Sequence, residues 1–359
     1  MMRQATLLRF LAVFNFIVIA MGLQSAFTAT GGNDANAVAR LAEAGEFGAG
    51  GYGATALVYA IIPDALRQVF ILGLGAWFIF FSLRRLQTNV HGLVMVFLAL
   101  APSILTISNF HKDLLLAPFV IAAAWALTRF PKGVFLIASI GLIYLSYGSL
   151  FRSYYFLILF FFLFVLAIRK LRLHLRVLLF LVLLLVLMNT PLSVLQTLQE
   201  PRDIVNYYRL NTAGAIGART AFANLLPIDG AWSFTVNYVY ALVRLNLAFV
   251  VDPGIREAFL QLNVALYFFA IFYGLRHGSR VGKNAASLLL AHVIVLTFFE
   301  PDLGSYIRHL SSTLPFAAIP LVEYFARHRW RVTWNSKSTD IRPTLASQGA
   351  VQFPTKAES

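Results

Sequence analysis

Cysteine is absent from all 359 residues, which removes disulfides, thiolate nucleophiles and Cys-ligated metals together. Acids are scarce as well: 15 Asp and Glu stand against 29 Lys and Arg. Charge of either sign makes up only 12% of a chain that is 59% hydrophobic, with mean hydropathy +0.74. Such a composition excludes an ordinary soluble domain. Period-2 alternation is missing from the apolar runs, which excludes a membrane barrel and leaves helices. There is no P-loop, no Rossmann glycine pattern and no HExxH, so no cofactor and no metal are expected. The net charge of +14 invites a nucleic-acid partner. We reject it, because the surplus bases sit in short connectors beside apolar runs, where they set orientation and meet anionic headgroups.

What the chain does have is Leu, Phe, Val and Ala in runs of about 15–22 residues, the length needed to cross a bilayer. Spans are expected at about 7–29, 67–83, 89–107, 114–128, 133–150, 154–168, 177–195, 257–275, 284–300 and 312–326. The fold class expected is therefore all-α, a polytopic membrane bundle of about 10 transmembrane helices. The first run, after Arg3 and Arg9, is longer than a signal peptide's apolar region and is read as an uncleaved anchor with its N-terminus inside, with cleavage at the small residues from Ser25 to Gly32 as the minor alternative. The stretches 52–63 and 233–251 are read as interfacial or re-entrant, since counting one alone as a span would reverse the basic clusters after it. The domain expected is 1–331, with external loops 30–66 and 196–256 and a disordered cytoplasmic tail over 332–359.

The connectors alternate between two chemistries. Bare bases make up one set: Arg84 and Arg85, Arg129 and Lys132, Arg169 to Arg176, Arg276 to Lys283, and Arg327 to Arg331. These mark the cytoplasmic side of a membrane protein. Acids, bases, Tyr, Asn and Gly are mixed in the other set, which collects on the opposite side, and four clusters there carry the candidate chemistry.

The first cluster is Gly31 to Asp34, where Asp34 is a candidate general base or orienter of a sugar hydroxyl and also a candidate helix cap, two compatible roles. In the second, Ser108 to Asp113, the residues Lys112 and Asp113 begin a span. A Lys at a helix N-terminus suits a bound phosphate, whereas a simple Lys112–Asp113 pair is the plainer reading. The third cluster, about 196–232, offers Arg202, Asp203, Tyr207, Tyr208, Arg209 and Arg219. Arg grips phosphate oxygens and aromatic faces cover sugar C–H surfaces. Arg244 lies inside an apolar stretch, so it is expected to face a cavity. The fourth runs from Glu300, Pro301 and Asp302 to Tyr306, Arg308 and His309, with His309 a possible proton carrier. Arg152, beside Tyr154 and Tyr155, joins the same face. His292, in mid-span, is expected to be hydrogen-bonded between helices rather than a metal ligand.

Several stretches resemble the bacterial O-antigen and exopolysaccharide polymerase group. They are Pro102 and Ser103 followed by Ser108 and the Lys112–Asp113 turn, then Arg152 to Tyr155, the Arg-rich external loop, and Tyr306 with Arg308 ahead of a last span holding Pro315 and Pro320. The resemblance implies a glycosyltransferase of the bacterial inner membrane, with both termini cytoplasmic, that joins undecaprenyl-pyrophosphate-linked repeat units on the outer side. Its implied partners are the polyprenyl-pyrophosphate-linked oligosaccharide, membrane lipid and a chain-length regulator protein. Arg152, Arg219, Arg308 and Lys112 are the candidates for pyrophosphate, and Asp34 or His309 for the base; Asp113, Arg209, Arg244 and Tyr306 complete the expected binding set. A lipid-linked oligosaccharide flippase or transporter, another lipid-linked-sugar glycosyltransferase, and a scaffold protein are the alternatives.

Overall fold

The computed structural model describes residues 4–30, 33–48, 50–84, 112–211 and 220–327, with positions 100, 102, 104, 107 and 110 between them. The expected span at 89–107, apart from positions 100, 102, 104 and 107, the Arg219 site and the expected tail over 332–359 lie outside the described residues. Among the described residues the chain is all helix, without a strand. In chain order the helices are α1 (Gln4–Thr30), α2 (Asn33–Glu43), α3 (Gly51–Ile61), α4 (Asp64–Leu83), α5 (Lys112–Arg129), α6 (Val134–Leu150), α7 (Tyr155–Ile168) and α8 (Leu173–Met188). They continue with α9 (Leu192–Asn211), α10 (Ala231–Asn246), α11 (Ala248–Val251), α12 (Ile255–His277), α13 (Arg280–Phe299), α14 (Leu303–Ser311) and α15 (Leu314–Arg327).

The all-helical class stands, but the expectation of about ten spanning helices is overturned. Among the described residues, three helices are long and apolar enough to cross a membrane: Asp64–Leu83, Ile255–His277 and Arg280–Phe299. A fourth counts only if α8 and α9, bent by 91° from one another, form one span. Helix length is the reason. Hydropathy marks 133–150 and 154–168 as apolar, yet they fold as helices of 17 and 14 residues. At 1.5 Å per residue these measure about 21–26 Å, less than a hydrocarbon core of about 30 Å. α5 has 18 residues, but Lys112, Asp113 and Arg129 lie within it and Pro118 interrupts it. The stretch 52–63 becomes the 11-residue α3, and 233–251 divides into α10 and the four-residue α11.

α13 is the centre of the packing, with α7, α12 and α15 against it. Its Ala285, Ala286, Leu288, Leu289 and Ala291 are fully buried, and small residues on such a helix let neighbouring backbones approach. Gly274 of α12 shows how closely: a Cβ there would sit 2.6 Å from the Cβ of Ala286. Tyr144 of α6 and His292 of α13 meet at 2.6 Å, so His292 is the interhelical hydrogen-bonding residue that its position suggested. α8 differs from all of these in having no buried residue. Its surface is Leu, Val and Phe on every side.

Candidate functional site: a cationic cleft over buried acids

The two ends of α13 carry different chemistry. At its N-terminal end Arg169 donates to the Lys283 carbonyl at 3.1 Å and to Ser287 at 2.8 Å. Asn284 there reaches the Pro131 carbonyl at 3.0 Å. About 30 Å away along the helix, its C-terminus runs through Phe299 into Glu300, and there a cleft of about 310 Å³ opens. Basic connectors thus gather at one end of this helix and the mixed cluster at the other.

Six segments build the cleft. α3 contributes Gly51 and Tyr52, α5 contributes Lys112, and the turn between α6 and α7 contributes Phe151, Arg152 and Tyr154. Pro201, Val205 and Arg209 follow at four-residue steps along α9, and so share one of its faces. Glu300 and Pro301 close α13, while Ser305, Arg308 and His309 form one face of α14. Gly51 is needed for closeness: a Cβ there would lie 3.3 Å from both the Lys112 side chain and the Phe151 carbonyl.

Asp113 holds the charges together from beneath. Its side chain is fully buried, and one oxygen accepts from Arg152 at 2.7 Å. Arg308 Nε stands 3.3 Å from the other oxygen, and His309 Nε2 lies 3.3 Å from the first. Burial alone would push this carboxyl up, but Arg152, His309 and Arg308 outweigh it and hold it well below the usual carboxylate range. For Arg152 the balance is reversed in sign: burial opposes its charge, and Asp113 raises it further above the ordinary guanidinium value. Arg152 also donates to the Tyr154 hydroxyl at 2.5 Å.

Glu300 is the second buried acid, bonded through Oε1 to His309 Nδ1. Burial pushes its carboxyl up, and His309, with Ser305 and Arg152, draws it below its ordinary value. His309 therefore sits between two carboxylates, one on each ring nitrogen. Asp302, the third acid, pairs with Arg209 and caps α14 by accepting from the Ser305 N–H at 2.9 Å. Lys112 Nζ lies 4.1 Å from the centroid of the Tyr52 ring, within cation–π range. Lys112, Arg152, Arg209 and Arg308 face the cleft with Glu300, while Asp113 and Asp302 lie behind. Among the described residues, four cations and three carboxylates thus gather here, with Glu300 on the wall and Asp113 and Asp302 off it.

The backing of α9 is equally specific. Arg202 is buried, donates to Asn224 at 2.5 Å and lies against the Phe222 ring. Asn206 donates to the Phe222 carbonyl at 2.8 Å. These contacts fix the roll of the helix, so that Pro201, Val205 and Arg209 turn to the cleft.

Of the expected site residues, Lys112, Asp113, Arg152, Arg209, Arg308 and His309 come together here. Tyr306 does not: it is 0% exposed, and its hydroxyl donates to Asn246 at 2.8 Å in the packing between α10 and α14. Arg244 lies over the Phe222 ring and is not part of the cleft wall. Asp34 is the second residue of α2, and its side chain lies outside the described residues, as does Arg219. Glu300 is the side chain that the sequence reading names without a role; its signal was an acid closing an apolar run before Pro301. In comparisons with known proteins, the chain matches no family model, no curated protein and no solved structure.

Proposed function

We propose that this protein polymerises undecaprenyl-pyrophosphate-linked oligosaccharide repeat units at the outer face of a bacterial inner membrane, and that the cleft binds the pyrophosphate. One observation carries the reading. Lys112, Arg152, Arg209 and Arg308 surround a cleft whose balancing carboxylates, Asp113 and Asp302, are set behind them. Arg152 and Arg308 are held by buried Asp113 and Arg209 by buried Asp302, and cations held in this way need no reorganisation when negative charge develops in front of them. A sugar attached to a pyrophosphate needs that service, because its departure leaves the charge on the diphosphate.

The acceptor hydroxyl attacks the anomeric carbon, the bond from that carbon to the pyrophosphate oxygen breaks, and the electron pair leaves with undecaprenyl pyrophosphate. Tyr52, Phe151 and Tyr154 on the wall supply aromatic faces against which sugar C–H surfaces pack. α13 is long and apolar enough to span, and on this reading the cleft at its C-terminal end meets the lipid-linked pyrophosphate at headgroup level.

Deletion of the gene tests the reading. A lost polymerase leaves single repeat units on the carrier or on the core lipid, whereas a lost flippase leaves none outside. Undiminished polymer in a strain carrying Arg308→Ala would refute the proposal.

A further inference from the structure

The transfer releases a proton from the acceptor hydroxyl, and the cleft has to take it. His309 is poorly placed for this, because both of its ring nitrogens already face carboxylates, Nδ1 against Glu300 and Nε2 against Asp113. Asp113 is occupied too, by Arg152, Arg308 and His309. Glu300 is different. It lines the cleft, and although His309 and Ser305 bond to its carboxylate, its Oε2 is buried with no hydrogen-bond partner among the described residues.

We propose that Glu300 is the catalytic base of the transfer, with His309 as its positioning residue. This rests on the glycosyl-transfer reading above. As the acceptor oxygen bonds to the anomeric carbon, its O–H becomes strongly acidic, so an ionised carboxylate accepts the proton without an elevated basicity. The Glu300 carboxylate becomes a carboxylic acid, the acceptor oxygen becomes the new glycosidic oxygen, and undecaprenyl pyrophosphate carries away the electron pair of the broken bond. His309 keeps Glu300 in one rotamer throughout, and its contact with Asp113 ties that rotamer to the two arginines beside the pyrophosphate. The base and the leaving-group site are thereby linked through three side chains.

The test uses purified full-length protein added to membranes from a host strain lacking it, which supply the native lipid-linked substrate. Glu300→Gln keeps the shape and removes the acceptor site. Its polymerisation rate is expected to fall by roughly 10²–10⁴-fold, with undecaprenyl pyrophosphate binding within about threefold of wild type. Glu300→Ala is expected to recover about tenfold when formate is added, because a small carboxylate can occupy the vacated space and take the proton; a recovery that tracks the basicity of the added carboxylate marks proton transfer, which mere replacement of the His309 partner would not show. Wild-type turnover by Glu300→Gln overturns the inference, as does failure of formate to restore a folded, ligand-binding Glu300→Ala. If Glu300→Ala does not fold, the isosteric Gln variant decides. Failure of the wild type itself to bind undecaprenyl pyrophosphate refutes the underlying functional reading instead, so the two failures are distinguishable.

Discussion

Replacing Asp113 by Asn removes the charge that Arg152, Arg308 and His309 share. Arg152 has only 7% of its side chain exposed, so its guanidinium is left buried with the Tyr154 hydroxyl and a neutral amide as partners. Breaking a buried pair from one side costs about 3–5 kcal/mol. Arg308, at 30% exposure, relaxes into water and adds about 1 kcal/mol at most. In detergent, an apparent Tm lower by roughly 5–10 °C is expected. The companion variant Asp113→Asn/Arg152→Gln should recover part of the loss, since it no longer carries the uncompensated charge. The pH dependence has a fixed sign. The folded-state carboxyl lies below its unfolded value, so its contribution is complete above the unfolded carboxylate pKa, about 3.9. It disappears as pH falls through the folded-state value. The deficit of Asp113→Asn should thus be constant from pH 8 to about 5 and should shrink only in stronger acid. A Tm shift below about 1 °C at pH 7 would refute the assignment of Asp113 as the common seat of these charges.

Other perturbations have equally definite outcomes. Gly75→Ala places a Cβ 2.2 Å from the Phe16 ring, and the overpacking between α1 and α4 should cost about 1–3 kcal/mol in thermal unfolding. Tyr144→Phe strips His292 of its 2.6 Å partner and should destabilise by about 1–3 kcal/mol, with cleft binding unchanged. Lys112→Ala should weaken undecaprenyl pyrophosphate binding roughly 10–100-fold in a calorimetric titration, and Lys112→Arg should restore most of it.

How much of this was legible in the sequence depends on which physical feature each residue reports. Helix class was plain from continuous apolar runs. Span number was not, because hydropathy marks apolar stretches without fixing how long a helix each one forms: 133–150 and 154–168 are apolar, yet fold as helices of 17 and 14 residues. Asp113 and Lys112 were legible as ionisable groups opening a helix, where a charge has to be paired or used. Arg152, Arg209, Arg308 and His309 were legible as members of clusters that a shared side would gather. Tyr306 was misassigned by helical register: Ser305, Arg308 and His309 share one face of α14, and Tyr306 turns to the core. Arg244, expected from its apolar stretch to face a cavity, lies instead over the Phe222 ring that Arg202 also contacts. Glu300 is legible as a member of the same cluster as His309, but its pairing with that residue, nine positions on and across a turn, is one that no local pattern encodes.

The proposed function requires that the cleft hold a pyrophosphate. Titrating undecaprenyl pyrophosphate into the full-length protein at increasing salt, for wild type and Arg308→Ala, tests this directly. Saturable wild-type binding that weakens with salt, and an affinity roughly 10–100-fold lower in the variant, is the predicted result. Equal affinity in the two proteins, or no wild-type binding at any salt, would contradict it.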